Sequence, residues 1–184
     1  MKADKIKKFM ELAGQPLGDS FYTGDAKTRE LGAQLLLSEV LEYCIKGLGV
    51  IPEFNGTKIS DANALSYNAS EEADRVEMLD GLADVAYTMY WNACAFGIPL
   101  EEGFELVCDN NLEKFVNLEE TDKSTTELPQ DAWHCNKDIS WPEEVVKVEV
   151  IQISGEYFAV GKDASGKVRK PSSYSSVDLT PLAQ

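Results

Sequence analysis

Two long segments with helical periodicity dominate this chain and limit the folds open to it. Apolar residues recur at steps of three to five over residues 25–46, which predicts an amphipathic helix. A second helix is predicted over residues 68–97, and it is apolar around most of its circumference beyond Leu79. An apolar helix surface is normally covered by other elements, so we expect this helix to be buried centrally.

The remaining segments complete a mainly helical plan. Residues 4–13 predict a short amphipathic helix, and Pro99 suits the first turn of a fourth helix. Residues 118–144 are polar and contain proline, which is typical of a linker. Valines then alternate with charged residues over 146–150, and the tight turn expected at Ser154-Gly155 predicts a β-hairpin.

These elements predict a mainly α fold with three parts. We expect a helical catalytic core over residues 1–117, a linker over 118–144, and a small C-terminal β-hairpin with its tail over 145–184. The length suits one domain with a real hydrophobic core.

Charge restricts the partners of the chain. It has 32 acidic residues against 17 basic ones, and its formal net charge is −15. Such a chain repels nucleic acid backbones and nucleotide phosphates alike, so a phosphorylated ligand would need a metal cation to reverse the local field. The sequence therefore predicts no nucleic-acid partner, although the acidity could equally serve only to keep the protein in solution.

Hydropathy and cysteine usage indicate the compartment. No apolar run approaches the roughly 20 residues of a membrane span, and no apolar stretch follows the N-terminal lysines, so we expect no membrane partner and no signal peptide. The four cysteines lack CxxC spacing, which favours reduced thiols and a cytoplasmic location. His134 is the only histidine, which argues against a histidine-based zinc site.

Carboxylates on the two long helices form the most informative pattern. Residues three or four apart share a helix face, so Glu39 and Glu42 point the same way, as do Glu77, Asp80 and Asp84. If the helices pack together, these carboxylates face a common cleft. Hard oxygen ligands suit magnesium, with manganese as the alternative, rather than zinc.

A simpler explanation of the same residues stays open. In a chain with 32 acidic residues, carboxylates at this spacing usually lie on a wet surface. Glu39 and Asp84, however, stand in the apolar runs LLLSEVLEY and GLADVAYTMYW, and burying an unpaired carboxylate is costly. Few bases lie nearby in sequence, Lys46 and Arg75 among them, so a metal ion is an economical partner.

Several motifs occur together in a fixed order along most of the chain. An ExxE pair at Glu39 and Glu42 is followed by LADVAY on the second helix, then by an F-x-x-V-x-x-x-N-x-x-K segment that ends at Lys114, and finally by GKVRKPSSY at 166–174. This ordered set resembles the all-α nucleotide pyrophosphohydrolase superfamily, which includes MazG-like proteins, phosphoribosyl-ATP pyrophosphohydrolase and dimeric dUTPase. The chain departs from the family's ExxD form at Gly81, where an acid is usual.

The resemblance implies an all-α, NTP-pyrophosphatase-like helical bundle that binds magnesium and assembles as a homodimer or homotetramer. By position it implies Glu39, Glu42 and Asp84 as metal ligands, with Asp80 or Glu77 replacing the acid expected at Gly81. Together with the helical spacing, this gives a candidate metal site of Glu39, Glu42, Glu77, Asp80 and Asp84. The catalytic residues would be Glu39, Glu42, Asp80 and Asp84, and the substrate-binding residues Asn111, Lys114, Lys167 and Lys170.

The expected activity is hydrolysis of a nucleoside triphosphate, or of a phosphoribosyl-ATP-like substrate, to the monophosphate and pyrophosphate by metal-activated water. Two other hypotheses stay open. The chain could be a non-catalytic acidic helical module that binds a protein or a nucleotide, or a degenerate relative that binds nucleotide without turnover. Gly81 keeps the second of these alternatives open.

Overall fold

A computed structural model describes residues 3–69, 72–118, 125–135 and 138–184. Its helices are α1 (Asp4–Ala13), α2 (Ala26–Glu42), α3 (Arg75–Phe96) and α4 (Leu100–Leu112), and α2 continues into a π-helical turn, Tyr43–Gly47. The strands are β1 (Glu53–Phe54), β2 (Thr57–Lys58), β3 (Val116–Leu118), β4 (Val145–Ile153) and β5 (Glu156–Asp163). Short 3-10 turns lie at Gln130–Ala132 and Thr180–Leu182. Among the described residues, no helix is long and apolar enough to cross a membrane.

The chain divides into two compact units. We call Gly18–Ala86 the helical unit, because it contains α2 and the first part of α3 together with the small β1–β2 hairpin. We call Met1–Leu17 with Tyr87–Gln184 the sheet unit, because it contains the three-stranded sheet.

The sheet unit is built on an antiparallel sheet in the order β3-β5-β4. The predicted hairpin is confirmed: β4 and β5 pair antiparallel, with Ile153 opposite Glu156. Ser154 and Gly155 form the turn, and both have positive φ angles, of 53° and 87°. One face of the sheet is covered by a cluster of buried side chains that includes Val148, Ala159, Cys135 and Ile139.

Helix α1 contributes to a second buried cluster of the sheet unit. Leu12 is only 1% exposed and packs with Phe115, Phe158 and Val160. Phe9 meets the ring of Phe115 edge to face, with 5.1 Å between the ring centroids. The N-terminal helix is therefore part of the core of the sheet unit.

The prediction of a mainly α fold, an all-α bundle with a small hairpin, is wrong. Over the part of the chain that the structure describes, the protein is mixed α and β, with 42% of those residues helical, 15% in strands, and two antiparallel sheets. The difference arises partly at Val116–Leu118, which pairs with β5 and turns the hairpin into a three-stranded sheet. It also arises because residues 145–163 hold much of the buried apolar surface, so the hairpin is not an appendage.

The expectation that the second long helix is buried centrally is also wrong. No side chain of α3 is buried in the described part of the chain. Val76 is 73% exposed, Leu79 64% and Trp91 57%. The apolar circumference predicts burial only if another element covers it, and the described chain does not supply that cover.

Asp163 organises the loop after β5. Its carboxylate accepts hydrogen bonds from the Ser165 hydroxyl at 2.6 Å and from the backbone N–H groups of Ser165 and Lys167, and it pairs with Arg169 at 2.7 Å. These bonds, with that from the Ser165 hydroxyl the largest, lower the pKa of Asp163 from its usual 3.8 to about 2.

We expect Asp163 to contribute stability that depends on pH. Because its pKa is lower in the folded than in the unfolded chain, the contribution is present above about pH 4 and is lost as the pH falls toward 2. Urea unfolding should therefore show that Asp163→Asn is less stable than the wild type at pH 7, with a smaller difference near pH 2.5. Asp131→Asn, at an exposed residue, is the control. An equal destabilisation at both pH values would contradict this role.

Candidate functional site

The carboxylates of α2 lie at the C-terminal end of that helix. The helix begins where Asp25 caps it, with Thr28 N–H donating to the carboxylate at 2.7 Å. Glu39 and Glu42 follow about four turns later, and both side chains are exposed. Their spacing places them on one face. Glu42 accepts a hydrogen bond from Lys46 at 2.7 Å, across one turn.

Lys46 lies near other negatively charged side chains besides Glu42. The hydrogen bond to Glu42 raises the pKa of Lys46, and the charges of Asp61 and Glu39 add to that effect. Asp61 lies in the loop after β2 and lines a shallow cleft together with Glu42, Lys46 and Asn63. Asp61 could not be selected from the sequence, because it stands outside any helix and no spacing rule links it to residues 39 and 42.

The carboxylates of α3 lie near the start of that helix. Asp74 accepts hydrogen bonds from the backbone N–H groups of Val76 and Glu77, at 2.7 and 3.2 Å, which helps to fix where the helix begins. Glu77, Asp80 and Asp84 follow at i, i+3 and i+7, and all three are exposed. A side chain at Gly81 would meet open space, since no atom lies within 4 Å of a Cβ added there. Packing therefore does not require glycine at this position.

The structure places the predicted ligands on two helix faces of the helical unit and does not join them into one cluster. Among the described residues, no group of three or more acidic, cysteine or histidine side chains is positioned to hold a metal ion. The donor chemistry nevertheless fits magnesium, because each helix offers carboxylate oxygens at helical spacing that water can reach. The carboxylate faces of α2 and α3 would have to come closer together to form one metal site.

Three of the four predicted substrate-binding residues come together in the sheet unit. Lys114 donates to the side-chain oxygen of Asn111 at 2.6 Å. The Lys114 ammonium lies 6.0 Å from the centre of the Tyr174 ring, and the Lys170 ammonium lies 4.5 Å from the same ring. Lys167 is held differently, because its backbone N–H donates to Asp163 in the loop after β5.

Two further residues, Tyr174 and Asn110, lie with Asn111, Lys114 and Lys170 in this cluster, and neither was predicted from the sequence as a site residue. The Tyr174 hydroxyl donates to the side-chain oxygen of Asn110 at 2.6 Å, and the Asn110 amide nitrogen donates to the carbonyl of Ser175 at 2.6 Å. Asn110 is 6% exposed. Tyr174 is the last residue of the GKVRKPSSY element, so its position in that motif was the available signal. The N-x-x-K spacing selects Asn111, and no motif position points to Asn110.

Comparisons with protein-family models, with curated proteins and with solved structures gave no match to this chain. Its likeness to the nucleotide pyrophosphohydrolases therefore stays a prediction that rests on the motifs themselves.

Proposed function

We propose that this chain is a metal-dependent nucleotide pyrophosphohydrolase. It would hydrolyse a nucleoside triphosphate or a phosphoribosyl-ATP-like substrate to the monophosphate and pyrophosphate. The observation that carries the proposal is the pair of exposed carboxylate faces, Glu39 with Glu42 on α2 and Glu77, Asp80 and Asp84 on α3, within one compact unit. The resemblance in sequence is the reason to propose that these faces bind the metal ion of the reaction.

Each acidic residue has a proposed role. Glu39, Glu42 and Asp84 would hold magnesium, which would lower the pKa of an attacking water and neutralise charge on the phosphate oxygens. Glu77 or Asp80 would orient that water and accept its proton. No covalent nucleophile is needed for this reaction, so the chemistry depends on how these carboxylates are held.

Basic and amide groups would bind the substrate. Asn111, Lys114 and Lys170 are proposed to contact its phosphates or sugar, and Lys167 to assist from the loop after β5. Charge-assisted hydrogen bonds from lysine to phosphate are strong enough to offset part of the repulsion expected from the acidic chain.

We also propose that the protein is a homo-oligomer, a homodimer or homotetramer, located in the cytoplasm. The exposed apolar side chains of α2 and α3 support the assembly, since monomeric proteins rarely leave large contiguous apolar patches in water. Packing these faces against a second copy would also bring further carboxylates near one another. The cysteine pattern described above supports the location.

Replacing apolar residues of α3 should weaken the assembly. Leu79 and Leu82 are 64% and 62% exposed, so the double change to glutamate should alter the folded protomer little but place charges in the proposed interface. Sedimentation equilibrium should then show a smaller mass than for the wild type. Phe54→Ser, at another strongly exposed apolar residue, is the matched control. A wild-type protein that sediments as a monomer would contradict the assembly.

The function is tested by incubating the purified protein with magnesium and a panel of nucleoside triphosphates. We expect one or more of them to yield pyrophosphate and the monophosphate in equal amounts. A non-catalytic interaction module would release no pyrophosphate, and magnesium with nucleotide would not raise its melting temperature. A degenerate relative would be stabilised by the nucleotide without releasing pyrophosphate.

A further inference from the structure

A lysine side chain is in direct contact with one of the proposed metal ligands. The Lys46 ammonium group donates to a carboxylate oxygen of Glu42 at 2.7 Å, and the Lys46 side chain is 72% exposed. A carboxylate that binds magnesium uses the same oxygens. Because like charges repel, the ammonium group in this place and a metal ion on the same carboxylate disfavour one another. The contact therefore opposes metal binding by Glu42.

The surroundings of Lys46 are those of a counter-ion. Glu39 and Asp61 attract its charge in addition to Glu42. Glu39 lies one turn before Glu42 on the same helix face, and Asp61 lines the cleft that Glu42 and Lys46 also line. Negatively charged oxygen atoms of this kind are also what a hard divalent cation binds. Lys46 thus provides the positive charge that a metal ion would otherwise bring to the end of α2.

The ion pair joins two different kinds of helical backbone. Glu42 is the last residue of α2, and Lys46 lies in the π-helical turn Tyr43–Gly47, where the Leu48 N–H donates to the Tyr43 carbonyl at 2.9 Å. Turns of this type are rare and are frequently found at functional sites. Exposed side chains change rotamer on the picosecond to nanosecond timescale, so Lys46 can leave Glu42 without any change in the backbone of the turn.

Asp61 offers the Lys46 ammonium group a second carboxylate. Its carboxylate accepts a hydrogen bond from the backbone N–H of Asn63 at 2.9 Å, which fixes it in the loop beside the cleft. Asp61 is not among the proposed metal ligands, so its negative charge stays available to Lys46 when Glu42 binds a metal ion. The cleft therefore contains both the present partner of Lys46 and an alternative one.

We propose that Lys46 regulates the metal site by competing with the metal ion for Glu42. Lys46 pairs with Glu42 in the metal-free chain and turns toward Asp61 when a divalent cation binds. This inference rests on the proposed function for the role of Glu42 as a metal ligand. Only the fraction of molecules in which Lys46 has left Glu42 is ready to bind, and the apparent metal affinity is reduced by that fraction.

The test is titration of the chain with Mn²⁺ alone, without nucleotide, followed by electron paramagnetic resonance. Lys46→Met removes the charge but keeps an unbranched side chain, so it should bind Mn²⁺ about three- to tenfold more tightly than the wild type. Lys46→Arg keeps the charge and should stay close to the wild type. Lys27→Met is the matched control, because it removes the same charge from the first turn of α2, beyond the screening length of about 10 Å at 0.1 M salt.

The sign of the effect separates competition from a structural role. A lysine that only stabilised the end of α2 would leave Mn²⁺ binding unchanged or weaker in Lys46→Met. No gain in Lys46→Met, or an equal gain in Lys27→Met, would therefore overturn the proposal. The gain should also disappear when Lys46→Met is combined with Glu42→Gln, because the carboxylate for which Lys46 competes is then lost. A gain that persists in this double variant would overturn the competition for Glu42.

The alternative partner is tested by Asp61→Asn. In the wild-type background this substitution should weaken Mn²⁺ binding, because Lys46 loses the carboxylate to which it moves. In the Lys46→Met background it should have little effect. Equal weakening in the two backgrounds would overturn the role of Asp61 as the second partner of Lys46.

The competition and the enzymatic activity fail separately. Tighter Mn²⁺ binding by Lys46→Met that requires Glu42, in a chain that releases no pyrophosphate, would support the competition and contradict the proposed function. An active enzyme in which Lys46→Met changes neither the Mn²⁺ affinity nor the magnesium concentration for half-maximal activity would do the reverse. Absence of Mn²⁺ binding in both the wild type and Lys46→Met would overturn the competition.

Discussion

Glu39→Gln and Asp84→Asn should each abolish magnesium-dependent pyrophosphate release. Removing residues that only orient metal ligands costs about 10- to 100-fold in metal affinity or activity, so removing a ligand itself should cost at least about 100-fold. Both side chains are exposed, and each amide has nearly the size of the acid it replaces. The helical circular dichroism signal should therefore stay unchanged. The measurement is the rate of pyrophosphate release with the best nucleotide from the panel.

The matched control for these variants is Glu72→Gln, an exposed acid outside the helices and outside the proposed site. It removes one negative charge, as the other two substitutions do, so it separates the loss of a specific ligand from a general electrostatic effect. Full activity in both Glu39→Gln and Asp84→Asn would contradict the proposed metal site. Equal losses in all three variants would show that charge alone matters.

Leu12→Ala should destabilise the protein by about 2–5 kcal/mol, the cost typical of truncating a buried leucine and leaving a cavity. Leu12 is 1% exposed and packs against Phe115, Phe158 and Val160, so β5 and the segment between α4 and β3 both lose contacts with α1. Urea unfolding followed by tryptophan fluorescence should report the loss, because Trp133 and Trp141 pack on the sheet of the same unit.

The control for this prediction lies on the same helix. Ile6 is 43% exposed, and Ile6→Ala should change the free energy of unfolding by no more than about 0.5 kcal/mol. Similar effects of the two substitutions would mean that α1 is not packed on the sheet as described.

Local patterns predicted the individual elements better than their assembly. The periodicity of residues 25–46 and the alternation of valines from residue 146 identify α2 and β4, because each pattern depends only on neighbours in the chain. The role of α1 could not be predicted in the same way, since Leu12 meets residues more than a hundred positions away. Val116–Leu118 is also too short to show a strand period, and only its pairing with β5 defines it.

The same distinction applies to the candidate site. Spacing correctly predicts that Glu39 and Glu42 share a helix face, because this follows from helix geometry alone. It cannot tell whether that face meets the carboxylates of α3, which depends on how whole helices pack. The association of Lys114 with Lys170 spans most of the sheet unit and was suggested only by the order of motifs, whereas Asn110 and Tyr174 became visible through their hydrogen bond.

Binding of Mn²⁺, followed by electron paramagnetic resonance, tests the central proposal most directly, because manganese accepts the same oxygen ligands as magnesium. The wild-type chain with a nucleotide present should bind Mn²⁺ more tightly than the nucleotide alone. Glu39→Gln and Asp84→Asn should both lose that additional affinity, while Glu72→Gln keeps it. Wild-type protein that adds nothing to the affinity of the nucleotide, or variants that bind as tightly as the wild type, would contradict a metal site shared by α2 and α3.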